Sequence, residues 1–148
     1  MKTFKHSFVV DAPIDKVWDF YTDLHHLEVI TPKEIGFKII ESNSDQITQG
    51  QTARLSGKLL TQITWKTKIT FCKPYTYVDE MSEGLFKHWK HTHVFHKIAE
   101  NQTRIIDEIE FELPCGFIGK LLERYAQDRL GKIFAYRQRA TIKALSNS

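Results

Sequence analysis

The sequence predicts an α+β fold in which a seven-stranded antiparallel sheet curves around one long C-terminal helix, with two short helices after the first strand. Three observations carry this expectation. Residues 116–148 repeat apolar side chains at helical spacing with polar ones between them. Residues 35–113 show no helical period, only alternating stretches broken by turn residues. Ahead of them, a first alternating stretch runs into a proline-led helix start at Ala12-Pro13.

Phe4, His6, Phe8 and Val10 alternate with Thr3, Lys5, Ser7 and Val9, the pattern of a half-buried strand. Pro13 has the φ of a first helical turn, and the charge of Asp15 suits the helix dipole there. Ile14, Val17, Trp18 and Tyr21 give this helix its apolar side; Leu24, Leu27 and Ile30 give a second short one, ending before Pro32. Phe37–Ile40 reads as a strand closed by the polar run 41–45. Gln51–Leu55 and Leu59–Phe71 follow, separated by a turn at Ser56-Gly57-Lys58. In the second of these Ile63, Trp65, Thr67, Ile69 and Phe71 share one face. Tyr75–Ser82, Phe86–Ile98 and Thr103–Leu113 complete the sheet, the last two as a hairpin through Ala99-Glu100-Asn101. In the final helix Ile118, Leu122, Tyr125, Arg129, Ile133, Tyr136 and Ala140 fall on one face, so Arg129 interrupts an apolar stripe.

A chain of 148 residues reads as one domain, 1–148, large enough for a core with a hole in it. Its net charge of +3 is mild and its Lys and Arg are scattered, which argues against nucleic acid as a partner. No apolar run nears the ~18 residues of a membrane span. Phe8-Val9-Val10 stops at Asp11, too short for a secretory signal, so a cytoplasmic protein without integral membrane association is expected. Cys72 and Cys115 have no motif spacing and read as reduced packing residues.

The chemistry concentrates in the last three strands. Trp89 and Phe95 mark the odd positions of Phe86–Ile98 as the inward face, so His91 and His93 point inward. In the next strand Asp107 shares the inner face with Ile105, Ile109 and Phe111. A three-residue turn at 99–101 places Asp107 opposite His93. Asp79 points to the same side from Tyr75–Ser82, and Arg129 reaches in from the helix. Buried charges are costly unless paired, so these groups imply either mutual satisfaction or a wet cavity. His88, His91, His93 and His96 resemble a metal box, but alternation divides them between the two faces. The His91-x-His93 pair lacks an obvious third ligand, so neither a metal nor any other cofactor is expected. A His93–Asp107 dyad would be a sensible general base, the carboxylate orienting the imidazole. The same groups could equally be a satisfied network that fixes strand register.

These residues carry a family likeness. Ala12-Pro13, Trp65 with Ile69, Tyr77-Val78-Asp79-Glu80, Gly84 and Trp89-x-His91-x-His93-x-Phe95 resemble the START-like, or SRPBCC, superfamily. So do Thr103, Asp107, Pro114-x-Gly116-x-x-Gly119 and Ile133-Phe134-x-Tyr136-Arg137. The likeness covers nearly the whole chain and is greatest to a bacterial branch of stand-alone, cyclase/dehydrase-like ligand-binding proteins. It implies a helix-grip fold with a hydrophobic cavity between sheet and helix. Relatives bind lipids, sterols or polyketides, and a minority catalyse cyclisation or dehydration. Met81 and Leu85 stand where that branch often has glutamine and proline, which makes the mouth of the site more apolar and weakens a catalytic role.

The expected function is binding of a hydrophobic or amphipathic small molecule, of lipid, polyketide or isoprenoid kind. Trp65, Ile69, Tyr77, Trp89 and Phe95 would supply walls from the first strands, and Ile109, Phe111, Leu122, Tyr125 and Ile133 the remainder. Asp79, His91, His93, Asp107 and Arg129 would orient the ligand. A polyketide cyclase, aromatase or dehydratase using His93 and Asp107 is the rival reading, and a protein-interaction module with a vestigial cavity a third.

Overall fold

The alternating stretches form seven strands, β1 (Lys2–Val10), β2 (Lys38–Ser42), β3 (Thr52–Lys58), β4 (Gln62–Lys73), β5 (Thr76–Glu83), β6 (His88–Ala99) and β7 (Gln102–Glu112). The computed structural model describes residues 1–58, 61–114 and 116–146. All strands join one sheet in the order β1-β7-β6-β5-β4-β3-β2. From β2 to β7 consecutive strands are antiparallel neighbours, while β1 and β2 form opposite edges and β1 pairs antiparallel with β7. Helices α1 (Ile14–Tyr21) and α2 (His26–Val29) follow β1, then a 3-10 turn at Lys33–Ile35; the long helix α3 (Gly116–Ser146) ends the chain. This is the helix-grip arrangement that the sequence implied. No described helix is long and apolar enough to cross a membrane.

Two apolar clusters hold the helices to the sheet. Under α1, Val17 and Tyr21 pack with Phe8, Val10, Tyr77, Phe95 and Ile105. Under α3, Ala126, Leu130 and Phe134 pack with Phe4, Ile109, Phe111 and Leu113. Each fully buried Leu, Ile or Phe side chain contributes about 1.5–3 kcal/mol.

Two local expectations are corrected. Ser56-Gly57-Lys58 is no turn: these residues continue β3, with Gly57 paired to Ile63 and Lys58 to Gln62. Gly57 serves close approach instead, since a Cβ there would lie 3.1 Å from the Ile35 side chain. The start of the next predicted strand, Leu59 and Leu60, lies outside the described residues, as does Cys115. Further along β4 the register to β5 shifts between Ile69 and Phe71. That bulge turns Phe71 outward, 39% exposed, and sets Cys72 against the α1 cluster as a free thiol.

The largest correction concerns α3. Its buried residues are Gly119, Glu123, Ala126, Leu130, Phe134, Arg137, Thr141 and Leu145. The inward face thus lies one residue later than the stripe through Leu122, Tyr125 and Arg129, a rotation of about 100°. Ile118, Leu122 and Tyr125 are exposed. Gly119 explains the choice: a Cβ on it would collide with the Pro114 carbonyl, so only this residue lets the first turn lie against the end of the sheet. Leu130, Phe134 and Leu145 then reach the core without Ile118 or Leu122.

Candidate functional site

Between the two clusters the sheet and helices enclose a cavity of about 170 Å³. Strands β3, β4 and β5 give it Ala53, Leu55, Trp65, Thr67, Ile69, Tyr77, Asp79 and Met81. Trp89, His91 and His93 come from β6 and Ile109 from β7, while Leu24 and Leu27 cover it near α2. Helix α3 closes it with Leu130, Ile133, Phe134 and Arg137. Most of this lining is apolar. Gln51 and Thr67, also in the wall, each bury an oxygen without a protein partner among the described residues.

Asp79, His91 and His93 in the wall and Asp107 behind them form a four-residue network across β5, β6 and β7. His91 Nε2–H donates to Asp107 Oδ1 at 2.8 Å, and His93 Nε2–H donates to Asp79 Oδ2 at 2.7 Å. His91 and His93 stack at 3.6 Å between ring centres, and Tyr77 stacks on the far side of His93 at 4.0 Å. Burial would push the Asp107 carboxyl up, but the two adjoining histidines, His91 and His93, overcome it and hold it well below the carboxylate range. For Asp79, burial is likewise outweighed, by the His93 bond and the two imidazoles, and its carboxyl is lowered. Burial and the neighbouring His93 push His91 down, whereas at His93 the two nearby carboxylates, Asp107 and Asp79, outweigh burial and raise it. Of the two imidazoles, His93, set between two carboxylates, is therefore the one whose protonated form is favoured.

Arg137 supplies the other charge. It is 9% exposed, its guanidinium lies 5.1 Å from the centre of the Phe134 ring, and it faces the cavity. Among the described residues no carboxylate lies within ion-pair distance of it.

Residues 10–134 match the family described as "Polyketide cyclase / dehydrase and lipid transport". The chain belongs to this family. No curated protein matches it in sequence. Solved structures share the family architecture. A Thermus thermophilus protein superposes with a TM-score of 0.78 at 17% identity, covering 99% of this chain and 98% of that one. A START superfamily protein of Mycobacterium smegmatis gives 0.76 at 11% identity, over 98% and 97% of the two chains. The Zhui aromatase/cyclase of Streptomyces sp. R1128 gives 0.68 at 18% identity, over 97% and 90%. At such identities the likeness is one of fold.

In this Polyketide cyclase / dehydrase family member the cavity gathers nine of the residues singled out in the sequence: Trp65, Ile69, Tyr77, Asp79, Trp89, His91, His93, Ile109 and Ile133. The others lie elsewhere. Asp107 is 1% exposed and sits behind the histidines, not in the wall. Phe95 packs against Trp18 and Tyr21 of α1, and Phe111 against Phe86 and Trp89. Leu122 and Tyr125 face outward, and Arg129 is half-buried away from the cavity. The expected His93–Asp107 dyad is corrected too: the short bond from His93 goes to Asp79, with Asp107 3.3 Å from its Nδ1. The third metal-ligand candidate that sequence spacing lacked is also Asp79, grouped with His91 and His93.

Arg137 is the important omission. It belongs to the family-like segment Ile133-Phe134-x-Tyr136-Arg137, but the apolar stripe one residue away directed attention to Arg129. The signal that could have found it is Gly119, the one residue in that turn able to lie against Pro114.

Proposed function

We propose that this protein binds a compact, largely apolar small molecule carrying an acidic oxygen group, held between sheet and α3. The observation that carries this is Arg137, a buried cation facing a mostly apolar cavity with no carboxylate within ion-pair distance among the described residues. Burying an unpaired guanidinium is costly, and an anionic ligand group offsets that cost. The unpartnered oxygens of Gln51 and Thr67 add sites for a hydroxyl or amide on the ligand. The volume, about 170 Å³, sits below the roughly 300–1,000 Å³ of drug-sized sites and favours one or two rings over a long acyl chain. Family membership and the cavity's composition both support ligand binding; a soluble, cytoplasmic setting is part of the same reading.

Asp79 carries a second reading. Its side chain is 21% exposed, it lines the cavity and it is bonded to His93. Such a carboxylate can exchange a proton with a bound carbonyl compound, as a cyclase or dehydratase requires. Asp79 and His93, not His93 and Asp107, would then be the acting pair.

Native mass spectrometry of the chain purified from its own cells tests the binding reading. A single co-purifying acidic molecule, released on denaturation, is the expected result. Repeatedly empty protein that also fails to take up aromatic carboxylic acids would sink it. Turnover lost in Asp79→Asn with ligand binding intact would favour the enzyme.

A further inference from the structure

We propose that Asp79, His91 and His93 form a site for a divalent first-row transition metal ion, zinc foremost, with an open coordination position facing the cavity. The open position rests on the reading of the cavity as a ligand site; the three ligands do not. They are the one group of His, Cys, Asp or Glu among the described residues whose donor atoms converge in this way, all within 4.8 Å of one another. His93 Nε2 lies 2.7 Å and His91 Nδ1 3.8 Å from Asp79 Oδ2. Tetrahedral zinc with bonds of about 2.0–2.1 Å holds its donors about 3.4 Å apart, between these two spacings. Small rotations of side chains already in the wall would complete the geometry.

The outer contacts match those of a metal centre. A ligating imidazole usually gives its other N–H to a carboxylate that fixes ring and tautomer. Here one atom, Asp107 Oδ1, faces both remaining nitrogens, His91 Nε2 at 2.8 Å and His93 Nδ1 at 3.3 Å. Asp107 is buried behind the rings and out of the cavity, where such a carboxylate belongs. His93 Nδ1 has no hydrogen-bond partner among the described residues, although His93 is 3% exposed. With Nε2 on a metal, its Nδ1–H would be the proton left to give Asp107.

Charge and donor type narrow the ion. Two carboxylates balance a divalent cation, and Arg137 then leaves a net positive wall that prefers an anionic or enolate-like oxygen at the open position. Two imidazoles favour zinc and its neighbours over magnesium or calcium, which take oxygen donors. His88 and His96, on the other face of β6, are outside the site.

The test uses the full chain stripped with EDTA and titrated with Co²⁺, then Zn²⁺ or Mg²⁺. Expected are one Co²⁺ per chain with visible d–d absorption, its displacement by Zn²⁺, and no effect of Mg²⁺. Asp79→Asn should abolish the band, Asp107→Asn weaken affinity about 10–100-fold, and His96→Ala leave it unchanged. No band in wild type overturns the proposal, as does an unchanged band in Asp79→Asn. Should a variant not fold, anomalous scattering from zinc-soaked wild-type crystals decides: a peak between the three donors supports the site, and zinc found elsewhere overturns it. 2-Naphthoate, a two-ring aromatic anion added to the same samples, reports the cavity separately by its fluorescence. Probe binding without metal binding defeats the metal site alone; metal binding without probe uptake supports it and counts against the cavity reading.

Discussion

His93 stands directly opposite Asp107 in the β6–β7 register, yet its short hydrogen bond runs diagonally to Asp79 on β5, at 2.7 Å. His91 mirrors it, lying opposite Asp79 but bonding Asp107. Diagonal neighbours on a sheet are within reach of long or aromatic side chains. The crossed pairs tie three strands together and stack the two rings over the cavity floor. A dyad would tie only two.

Acid should weaken this tie. His91 and His93 outweigh burial and keep the folded pKa of Asp107 below its unfolded value of about 3.9. The unfolded chain therefore binds more protons as pH falls through that value. The stabilisation is complete above about pH 4 and is lost progressively below it. In EDTA-treated protein the melting temperature should drop through this window. Asp107→Asn should be less stable at neutral pH and show a shallower acid decline; parallel declines would exclude Asp107 as a cause.

The face of α3 can be measured by truncation. Phe134→Ala should cost about 3–5 kcal/mol in denaturant unfolding and Leu130→Ala about 2–5 kcal/mol. Leu122→Ala, at an exposed position, should change stability by about 0.5 kcal/mol or less. The reverse ranking would restore the stripe through Leu122 and Arg129.

Gly119→Ala should destabilise the protein. At an ordinary helix interior this change gains about 1 kcal/mol. Here the new Cβ would meet the backbone carbonyls of Pro114 and Leu113, neither at the end of a flexible side chain. A raised melting temperature would show that the helix start has room to move.

Arg137→Leu should weaken binding of an aromatic carboxylic acid by tenfold or more, by about 1.4 kcal/mol, and leave its methyl ester nearly unaffected. Arg129→Leu should change neither. Isothermal titration of both ligands against both variants separates the two arginines.

Much of this was legible in the sequence, and the reason is periodicity. Strict alternation in β6 and β7 placed His91, His93 and Asp107 inward, and the short turn put His93 opposite Asp107. The partner choice was not legible, because register sets which residues are opposite, whereas ring rotation decides which oxygen is bonded. Phe71 was misplaced by a bulge, which period-two counting cannot see. The α3 face was misleading because the stripe through Ile118, Leu122 and Tyr125 is apolar yet exposed, whereas the buried stripe carries Glu123, Arg137 and Thr141. Packing at Gly119 separated them, and that is a tertiary contact between turns and carbonyls, invisible to a helical projection.

The central claim is that a ligand occupies the space beside His91, His93 and Arg137. Ala53 lines that space and is buried, so Ala53→Leu pushes a larger apolar side chain into it. Fluorescence titration with 2-naphthoate, a two-ring aromatic anion, is the direct measurement. One site per wild-type chain, lost in Ala53→Leu while circular dichroism and melting temperature hold, is the expected result. Equal binding by both proteins would place the probe elsewhere and contradict the account.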